Sequence, residues 1–558
     1  MKTMQRHIIA CLAACIPLVT AAQKEDLGNQ QYIIVKDYKP VLAESSKISD
    51  QPLQDTSSAE PPKLSYNLST QKLETSYETS LIKPVVIKDE SIQKLYRSYL
   101  KLGIGTHETY NGDLYVNSLR SKDYSAGVHL GHFSGKPNLS DVGDAAFSNN
   151  IAELYGKYFL ENMTLNSSLK FTRDSYHYYG FPTEKIIEDA DNYKQRFNRV
   201  GFNIGFKKRE TSETGLDYAA TVDYNTLNDL YEKKENDFAI GGYLGTRISE
   251  YYSRINISLD YFKKTDDAPE QYDTFLNLSR NIFRLEPSLV VKKDKFNLLL
   301  GINVAYEENL HADVHLYPNV ELDLPVADNV LTSFFSVTGR LIKNSYSTIT
   351  EENPFVNPRE VPVPNTSENL NLKAGVRGSF VKGMSMAAFI SRASMSNMLF
   401  YVDDTALVFP PGPAFDISYD DGSLTTLHAE AGYQAGSGLS LTFRFDQYFY
   451  KTDVLLKAWH KPSNETAIEA KYNLRDKILI NLTAFFQGPR YANEMESGTE
   501  TALKLKGFAD FNLGLEYRYS KILSVYANMN NIGFAKYQYW HGYPVEKFNL
   551  IGGIKFSF

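Results

Sequence analysis

Leu439-Ser440-Leu441-Thr442-Phe443-Arg444-Phe445-Asp446 is the stretch that decides the fold. Apolar and polar residues alternate one by one along it. Only a β-strand sends successive side chains to opposite faces, so this segment is a strand with one greasy and one polar face. The pattern recurs. Ile255, Ile257, Leu259 and Tyr261 alternate with Arg254, Asn256, Ser258 and Asp260. Met163, Leu165, Ser167, Leu169 and Phe171 alternate with Thr164, Asn166, Ser168, Lys170 and Thr172, and Leu513, Leu515, Tyr517 and Tyr519 with Gly514, Glu516 and Arg518. A soluble sandwich buries the apolar face of such strands, whereas a membrane barrel turns it outward to lipid.

The connections choose between the two. Counting back from the C-terminus they alternate short and long. The short ones are Ser520, Asp476 and its neighbours, Ala435–Gly438, Val381–Gly383, Val326–Asn329, Lys292–Asp294 and Glu161-Asn162. The long ones are roughly 534–544, 489–506, 452–462, 396–422, 343–368, 263–280, 177–194 and 134–148. Tight turns at one end and long loops at the other are the mark of outer-membrane barrels, and a sandwich has no reason to sort its connections this way. The pattern predicts an all-β fold: a transmembrane antiparallel β-barrel of about 22 strands over residues 98–558. The strands are expected to begin near 98, 112, 123, 149, 163, 195, 216, 238, 250, 281, 295, 314, 330, 369, 384, 423, 439, 463, 478, 507, 521 and 545. An even count puts the first and last strands side by side.

Composition agrees. The chain has 558 residues, a formal net charge of −7, 22% charged residues, and 39 Tyr, 32 Phe and 2 Trp. Its mean hydropathy is −0.35. Past the leader, apolar runs such as Leu298–Ala305 fall far short of the ~20 residues that a spanning helix needs. The acidic balance excludes bulk nucleic-acid binding. Aromatic pairs near strand ends, Tyr251-Tyr252, Tyr448–Tyr450 and Phe485-Phe486, are expected at the membrane interfaces.

Assigning the apolar face to outer-membrane lipid sends the charged residues into the lumen. The lumen-lining candidates are Arg173, Arg254, Asp260, Arg340, Arg377, Glu430, Arg444, Asp446, Glu469, Lys471, Glu516 and Arg518, with Lys373 and Lys555 beside them. An outward Arg or Lys would cost ~2–4 kcal/mol at the bilayer midplane. Because both signs occur, simple anion or cation selection is not expected. The set reads as a hydrated wall with cross-strand ion pairs, or as a substrate surface.

The N-terminus reads differently. Lys2 and Arg6 precede an apolar run from Ile8, and Thr20-Ala21-Ala22 before Gln23 is a small-residue cleavage signal. Residues 1–22 are therefore a secretory signal peptide, cleaved between Ala22 and Gln23. Leu12-Ala13-Ala14-Cys15 also matches a lipoprotein signal, but the apolar run continues past Cys15, which favours ordinary cleavage. Both cysteines, Cys11 and Cys15, lie in the leader, so a chain cleaved after Ala22 has no thiol for disulfides, catalysis or metal. Residues 23–97, rich in Lys, Glu, Asp, Ser and Pro, read as an extended segment in the periplasm or in the lumen.

No enzyme motif appears: there is neither a phosphate-binding Gly loop nor a nucleophile elbow. No cofactor or metal is implied. His311 and His315 on an extended segment are too far apart to share an ion, and Asp420-Asp421-Gly422 reads as a turn. The loop Asn353-Pro354-Phe355-Val356-Asn357-Pro358, continued by Val361-Pro362-Val363-Pro364, is apolar and Pro-fixed. It reads as a loop folded over the barrel mouth or, alternatively, as a docking surface.

The C-terminal hundred residues carry a family resemblance. Asn528-Met529-Asn530-Asn531-Ile532-Gly533, the Tyr-rich run through Tyr537, Trp540 and Tyr543-Pro544, and the ending Gly552-Gly553-Ile554-Lys555-Phe556-Ser557-Phe558 resemble the last strands of TonB-dependent receptors. The resemblance implies a barrel of this size. It also implies that Ile554, Phe556 and Phe558 form the signal read by the barrel-assembly machinery. It implies solute uptake as well, but the stretch 23–97 is shorter than the folded plug of those receptors. The expectation is thus a plugless, receptor-like transporter or porin. The alternative is a scaffold barrel of a larger outer-membrane complex whose loops bind surface partners; the partner expected in either reading is a periplasmic or surface protein.

Overall fold

The computed structural model describes residues 95–180, 193–209, 215–266, 277–309, 311–327, 330–358, 361–404, 414–496 and 499–558. The leader, the Ala22–Gln23 junction and nearly all of the 23–97 segment lie outside the described residues. The chain begins with β1 (Ser98–Gly105), β2 (Thr109–Asn117), β3 (Tyr124–Gly135), β4 (Phe147–Phe159), β5 (Met163–His177), β6 (Lys194–Lys208) and β7 (Asp217–Asn228). It continues with β8 (Lys233–Ile248), β9 (Tyr251–Asp266), β10 (Leu278–Lys293), β11 (Phe296–Glu308), β12 (Ala312–Ala327) and β13 (Leu331–Ile342). A short helix, α1 (Tyr346–Glu352), precedes β14 (Thr366–Gly378), β15 (Met384–Asp403), β16 (Phe415–Ala435), β17 (Leu439–Thr452), β18 (Asn464–Leu474) and β19 (Ile478–Gln487). The last part holds β20 (Arg490–Glu496), β21 (Thr499–Leu505), β22 (Phe508–Arg518), β23 (Leu523–Asn530), β24 (Gln538–Trp540), β25 (Tyr543–Pro544) and β26 (Asn549–Ser557).

β20–β21 and β24–β25 are small hairpins inside connections, and the other strands form one 22-stranded antiparallel sheet. β1 pairs with β26 from Tyr99↔Ser557 to Gly105↔Ile551, and this ladder closes the barrel. Closure extends to the last residue: Ser98 and Phe558 exchange backbone hydrogen bonds of 2.8 and 2.9 Å. A closed sheet leaves no unpaired edge, which is what a strand structure needs in lipid.

Alternation then sorts the side chains. Leu102, Ile104, Leu154, Leu169, Ile257, Leu441, Phe443 and Ile554 lie exposed on the outer wall. Lys101, Asp113, His129, Asp260, Asp446, Glu516 and Lys555 are buried on the opposite parity. The predicted aromatic pairs divide the same way, which corrects their reading as girdles. Tyr251 and Phe449 face outward, whereas the Tyr252 hydroxyl donates to Asp217 at 2.9 Å and that of Tyr448 to Glu465 at 3.3 Å. Consecutive strand residues cannot share a face, so each run supplies rings to both walls.

At one end every connection runs two to eight residues, such as 160–162, 294–295 and 475–477. Arg475 and Asp476 both take positive φ, 53° and 55°, as the central pair of the tight turn that Lys477 N–H closes on Leu474 O at 3.0 Å. Asn473 supports this turn by accepting from the Asp476 backbone N–H at 2.8 Å. The other end carries the long connections, including 343–365, 453–463, 488–507 and 531–548. Three connections there, 106–108, 229–232 and 309–311, are short, so the long-loop end is less uniform than the sequence suggests.

Three strand starts differ from expectation. β8 begins at Lys233 rather than 238, because the charged run there turns Lys233 and Glu235 inward, both buried. β16 begins at Phe415 rather than 423, so Asp420-Asp421-Gly422 lies inside a strand and is not a turn. Its carboxylates cap neighbouring backbone: Asp420 accepts from Val454 and Leu455 N–H, and Asp421 from Asn397 N–H, all at 2.8–2.9 Å. β26 begins at Asn549 rather than 545, since Val545 N–H turns to Tyr537 O at 3.0 Å.

The closure seam is also electrostatic. Lys555 on β26 donates to Glu516 on β22 at 2.5 Å, both buried. Lys101 on β1 meets Asp113 on β2 at 3.4 Å, and Asp113 lies 3.3 Å from His129 on β3. The Tyr526 ring lies between the two lysines, 5.7 Å from Lys101 Nζ and 5.2 Å from Lys555 Nζ. Removing one partner of a buried pair leaves the other charge uncompensated and costs about 3–5 kcal/mol, whereas replacing both with apolar residues costs far less. Glu516→Ala is therefore expected to lower the urea midpoint of the detergent-folded barrel markedly, and Glu516→Leu with Lys555→Leu to restore most of it. Heat-modifiable gel mobility against urea reads both.

Candidate functional site at the barrel mouth

The sequence feature that organises the long-loop end is the connection 343–365. It does not stand out into solvent. Ile349, Val356, Val361 and Val363 are all buried, with Tyr346 fully so. They pack with Phe197, Leu227 and Phe262 from the barrel wall, with Tyr401, Phe415 and Ile417 from β15 and β16, and with Trp540 and Tyr543 from the 531–548 connection. Burying each aliphatic side chain contributes about 1.5–3 kcal/mol. The docking-surface reading of this loop is therefore corrected: its apolar residues face inward, over the mouth.

Polar groups of the wall hold the loop at both feet. The buried Arg280 guanidinium donates to Asn344 O at 2.8 Å and to Val363 O at 2.6 Å. One side chain thus clasps the loop where it leaves β13 and where it returns to β14. Lys343 bridges Asp237 at 2.6 Å and Asp260 at 3.1 Å, and Arg284 also pairs with Asp260. Lys264 donates to Val361 O, and Tyr419 to Pro362 O at 2.9 Å.

Helix α1 begins with a capping box between Ser345 and Thr348. Glu235 adds a carboxylate there and accepts from Tyr346 N–H at 2.6 Å and Ser347 N–H at 3.3 Å. Negative charge at the first N–H groups of a helix is favourable. The Tyr346 hydroxyl donates to Asp229 at 2.7 Å, Arg199 reaches Thr350 at 3.0 Å and Asp174 at 2.9 Å, and Tyr401 donates to Ile349 O at 3.2 Å.

Three consecutive strands carry register shifts at this rim, at Thr338/Arg340, Glu368/Leu370 and Met395/Met398. Bulges bend strands and re-aim side chains. Gly339 sits in the first of them, where a Cβ would fall 2.8 Å from the carbonyl oxygens of Glu368 and Asn369.

The 531–548 connection closes the opposite side. Phe355 stacks on Tyr543 with centroids 3.9 Å apart, and Trp540 meets Tyr401 edge-on at 4.8 Å. The buried Arg490 donates to Gln538 O at 2.6 Å and to Tyr539 O. His541 Nδ1 is 2.5 Å from Asp403 Oδ2, and this bond raises the imidazole pKa above its ordinary value. His460, wholly enclosed, is instead held down to about 3 by burial and stays neutral.

The predicted lumen residues fall into small groups. Arg444 donates to Asp446 at 2.6 Å, His428 lies 2.7 Å from Asp446, and its other nitrogen is 3.5 Å from Glu430. Arg377 pairs with Asp323 at 2.7 Å, Glu469 with Lys471 at 3.0 Å, and Arg518 with Glu516 at 3.6 Å. Arg254 lies over the Tyr243 ring at 3.8 Å, and Lys373 over Phe389 at 4.8 Å. Asp260 alone among the predicted set reaches the loop anchors. Arg340, half exposed one residue past a bulge, comes only to 4.0 Å of Glu368. Arg173 is a correction: it shares the parity of the exposed Leu169 and Phe171, and its neighbour Asp174 is the residue that turns inward. His315, 3.8 Å from Glu307, gathers no second histidine, and among the described residues no three His, Cys, Asp or Glu side chains are grouped for a metal.

Arg280, Lys264, Glu235 and Arg199 were absent from the predicted set. The first two fall in the 263–280 stretch that reads as loop, and Glu235 falls in a charged run. Their signal is parity: Arg280, Ile282 and Arg284 share one face of β10, counted inward from the exposed Phe283.

No family model matches the sequence, and no curated protein matches it. Solved structures do match. The FrpB iron transporter from Neisseria meningitidis superposes with a TM-score of 0.64 at 10% identity, covering 84% of this chain and 82% of that one. A ferric enterobactin receptor mutant from Pseudomonas aeruginosa, in complex with enterobactin, gives 0.62 at 11% identity, covering 84% and 82%. The copper transporter OprC gives 0.60 at 12% identity, covering 84% and 81%. These neighbours are TonB-dependent receptors, and the chain has their barrel fold.

Both tryptophans, Trp459 and Trp540, are buried at this mouth, so tryptophan emission, excited selectively over tyrosine, reports on it alone. Arg280→Ala is expected to red-shift that emission, with heat-modifiable mobility unchanged. The His541–Asp403 bond raises the folded-state pKa, so its contribution is complete below the unfolded value near 6.5 and fades as pH rises through the higher folded value. Tryptophan emission should therefore red-shift as pH climbs through and beyond that range, and His541→Gln should flatten the profile.

Proposed function

We propose that this chain is an outer-membrane barrel that takes a solute across the membrane, with its own 343–365 connection serving as the closure at the external mouth. The short-turn end then faces the periplasm and the long-loop end the exterior. The observation that carries this reading is the clasp at Arg280, which seats one loop across a wide, polar-lined barrel by its two feet. A scaffold wall would not need its mouth filled by so many buried wall-to-loop bonds, while a passage does need a removable closure. The barrel likeness to iron and copper transporters supports the class and leaves the cargo open. The 23–97 segment, which reads from its sequence as extended and lying in the periplasm or in the lumen, is the other part of the chain whose removal bears on this passage.

One observation favours the scaffold alternative: the interior charges pair with one another, as in Arg444–Asp446 and Glu469–Lys471, instead of presenting one sign to a passing ligand. Planar-bilayer conductance separates the two. The full protein is expected to be silent, and Arg280→Ala combined with Lys343→Ala to open steps of conductance. A barrel lacking residues 23–97 should conduct more readily once the clasp is broken. If every variant stays silent while remaining folded, the transport reading fails and the scaffold stands.

A further inference from the structure

The outer wall near the short-turn end carries a feature that uptake does not use. A groove of about 890 Å³ lies between the 118–121 turn and the strands β3 to β5. Its apolar lining includes Leu119, Val128, Leu154 and Leu169. Leu154 and Leu169 are 52% and 44% exposed, so what covers them is the hydrocarbon of the bilayer. Arg97 and Arg120 stand at the same groove, which no carboxylate lines. Neither guanidinium has a hydrogen-bond or ion-pair partner among the described residues.

The chain positions both arginines through backbone bonds. Asn117 N–H donates to Arg97 O at 2.7 Å, tying Arg97 to the end of β2. Ser118 N–H donates to Ala126 O at 2.7 Å, and Ala126 N–H returns a bond to Ser118 Oγ at 2.9 Å, folding the turn against β3. Tyr124, 51% exposed, stands at the groove as an interfacial aromatic would. Two unpaired cations beside a lipid-facing apolar slot, on a chain whose net charge is −7, are complementary to an anionic headgroup with its acyl chain.

We propose that this groove binds one anionic glycerophospholipid of the periplasmic leaflet, its phosphate on Arg97 and Arg120 and an acyl chain along Val128, Leu154 and Leu169. The inference rests on the membrane orientation proposed above. A lipid is favoured over a protein partner because the floor of the groove belongs to the wall that lipid must cover.

The test is native mass spectrometry of the full chain in detergent, titrated with phosphatidylglycerol or with phosphatidylethanolamine. The expected result is a single retained phosphatidylglycerol, little phosphatidylethanolamine, and a loss of about tenfold or more in phosphatidylglycerol occupancy for Arg97→Gln with Arg120→Gln. Both arginines are exposed, so this variant should keep its heat-modifiable mobility. Equal retention of the two lipids, unchanged retention by the variant, or retention of an acidic peptide instead would each overturn the proposal. A wild-type chain without heat-modifiable mobility would instead sink the membrane reading on which it rests.

Discussion

Backbone hydrogen bonds in lipid have no water to fall back on, and the pairing of β1 with β26 is what lets this sheet meet that demand. Every other feature is conditional on that ladder. Once the sheet closes, the period of two along each strand becomes a division between bilayer and interior. Lys101, Asp113, Glu516 and Lys555 can then sit beside the seam, because closure has already given them an inside. A strand slipped by one residue would reverse that arrangement and put these charges into hydrocarbon. The buried pairs and the ladder therefore specify the same register.

Much of this was legible in the sequence, for a physical reason. In a barrel that spans lipid, the outward face must be apolar along its whole length, so alternation survives in almost every strand. The Leu439–Asp446 run and the β9 run read correctly because lipid tolerates no exceptions there. The readings that failed lie where lipid no longer constrains the chain. Lys233 and Glu235 belong to a strand that has risen into the mouth, where charge is the useful residue type. Asp420-Asp421-Gly422 has turn composition, yet β16 runs straight through it because its carboxylates cap two neighbouring segments. Arg173 was misplaced by residue type rather than by parity, since an arginine at the rim can face outward and reach water or headgroups.

The mouth was legible only in part. Proline and valine between Asn353 and Pro364 announced a rigid apolar loop, but not which way it faces. Its direction is set by partners distant in sequence. Arg280, Lys264, Glu235 and Arg199 come from four different strands, β10, β9, β8 and β6, and converge only after the barrel closes. No local pattern encodes that convergence. The three bulges on β13 to β15 belong to the same category, since a register shift is a property of paired strands and not of either sequence alone.

The clasp has a consequence for how such a chain can diversify. Because Arg280 binds backbone oxygens at Asn344 and Val363, it reads the two feet of the loop and not the side chains between them. A segment of other composition could keep this clasp, provided the wall residues packed against Tyr346, Ile349 and Val356 change with it. The barrel architecture is shared with a solved structure at 10% identity, and a loop anchored through its backbone feet is the part of the mouth least tied to its own side chains at those two points.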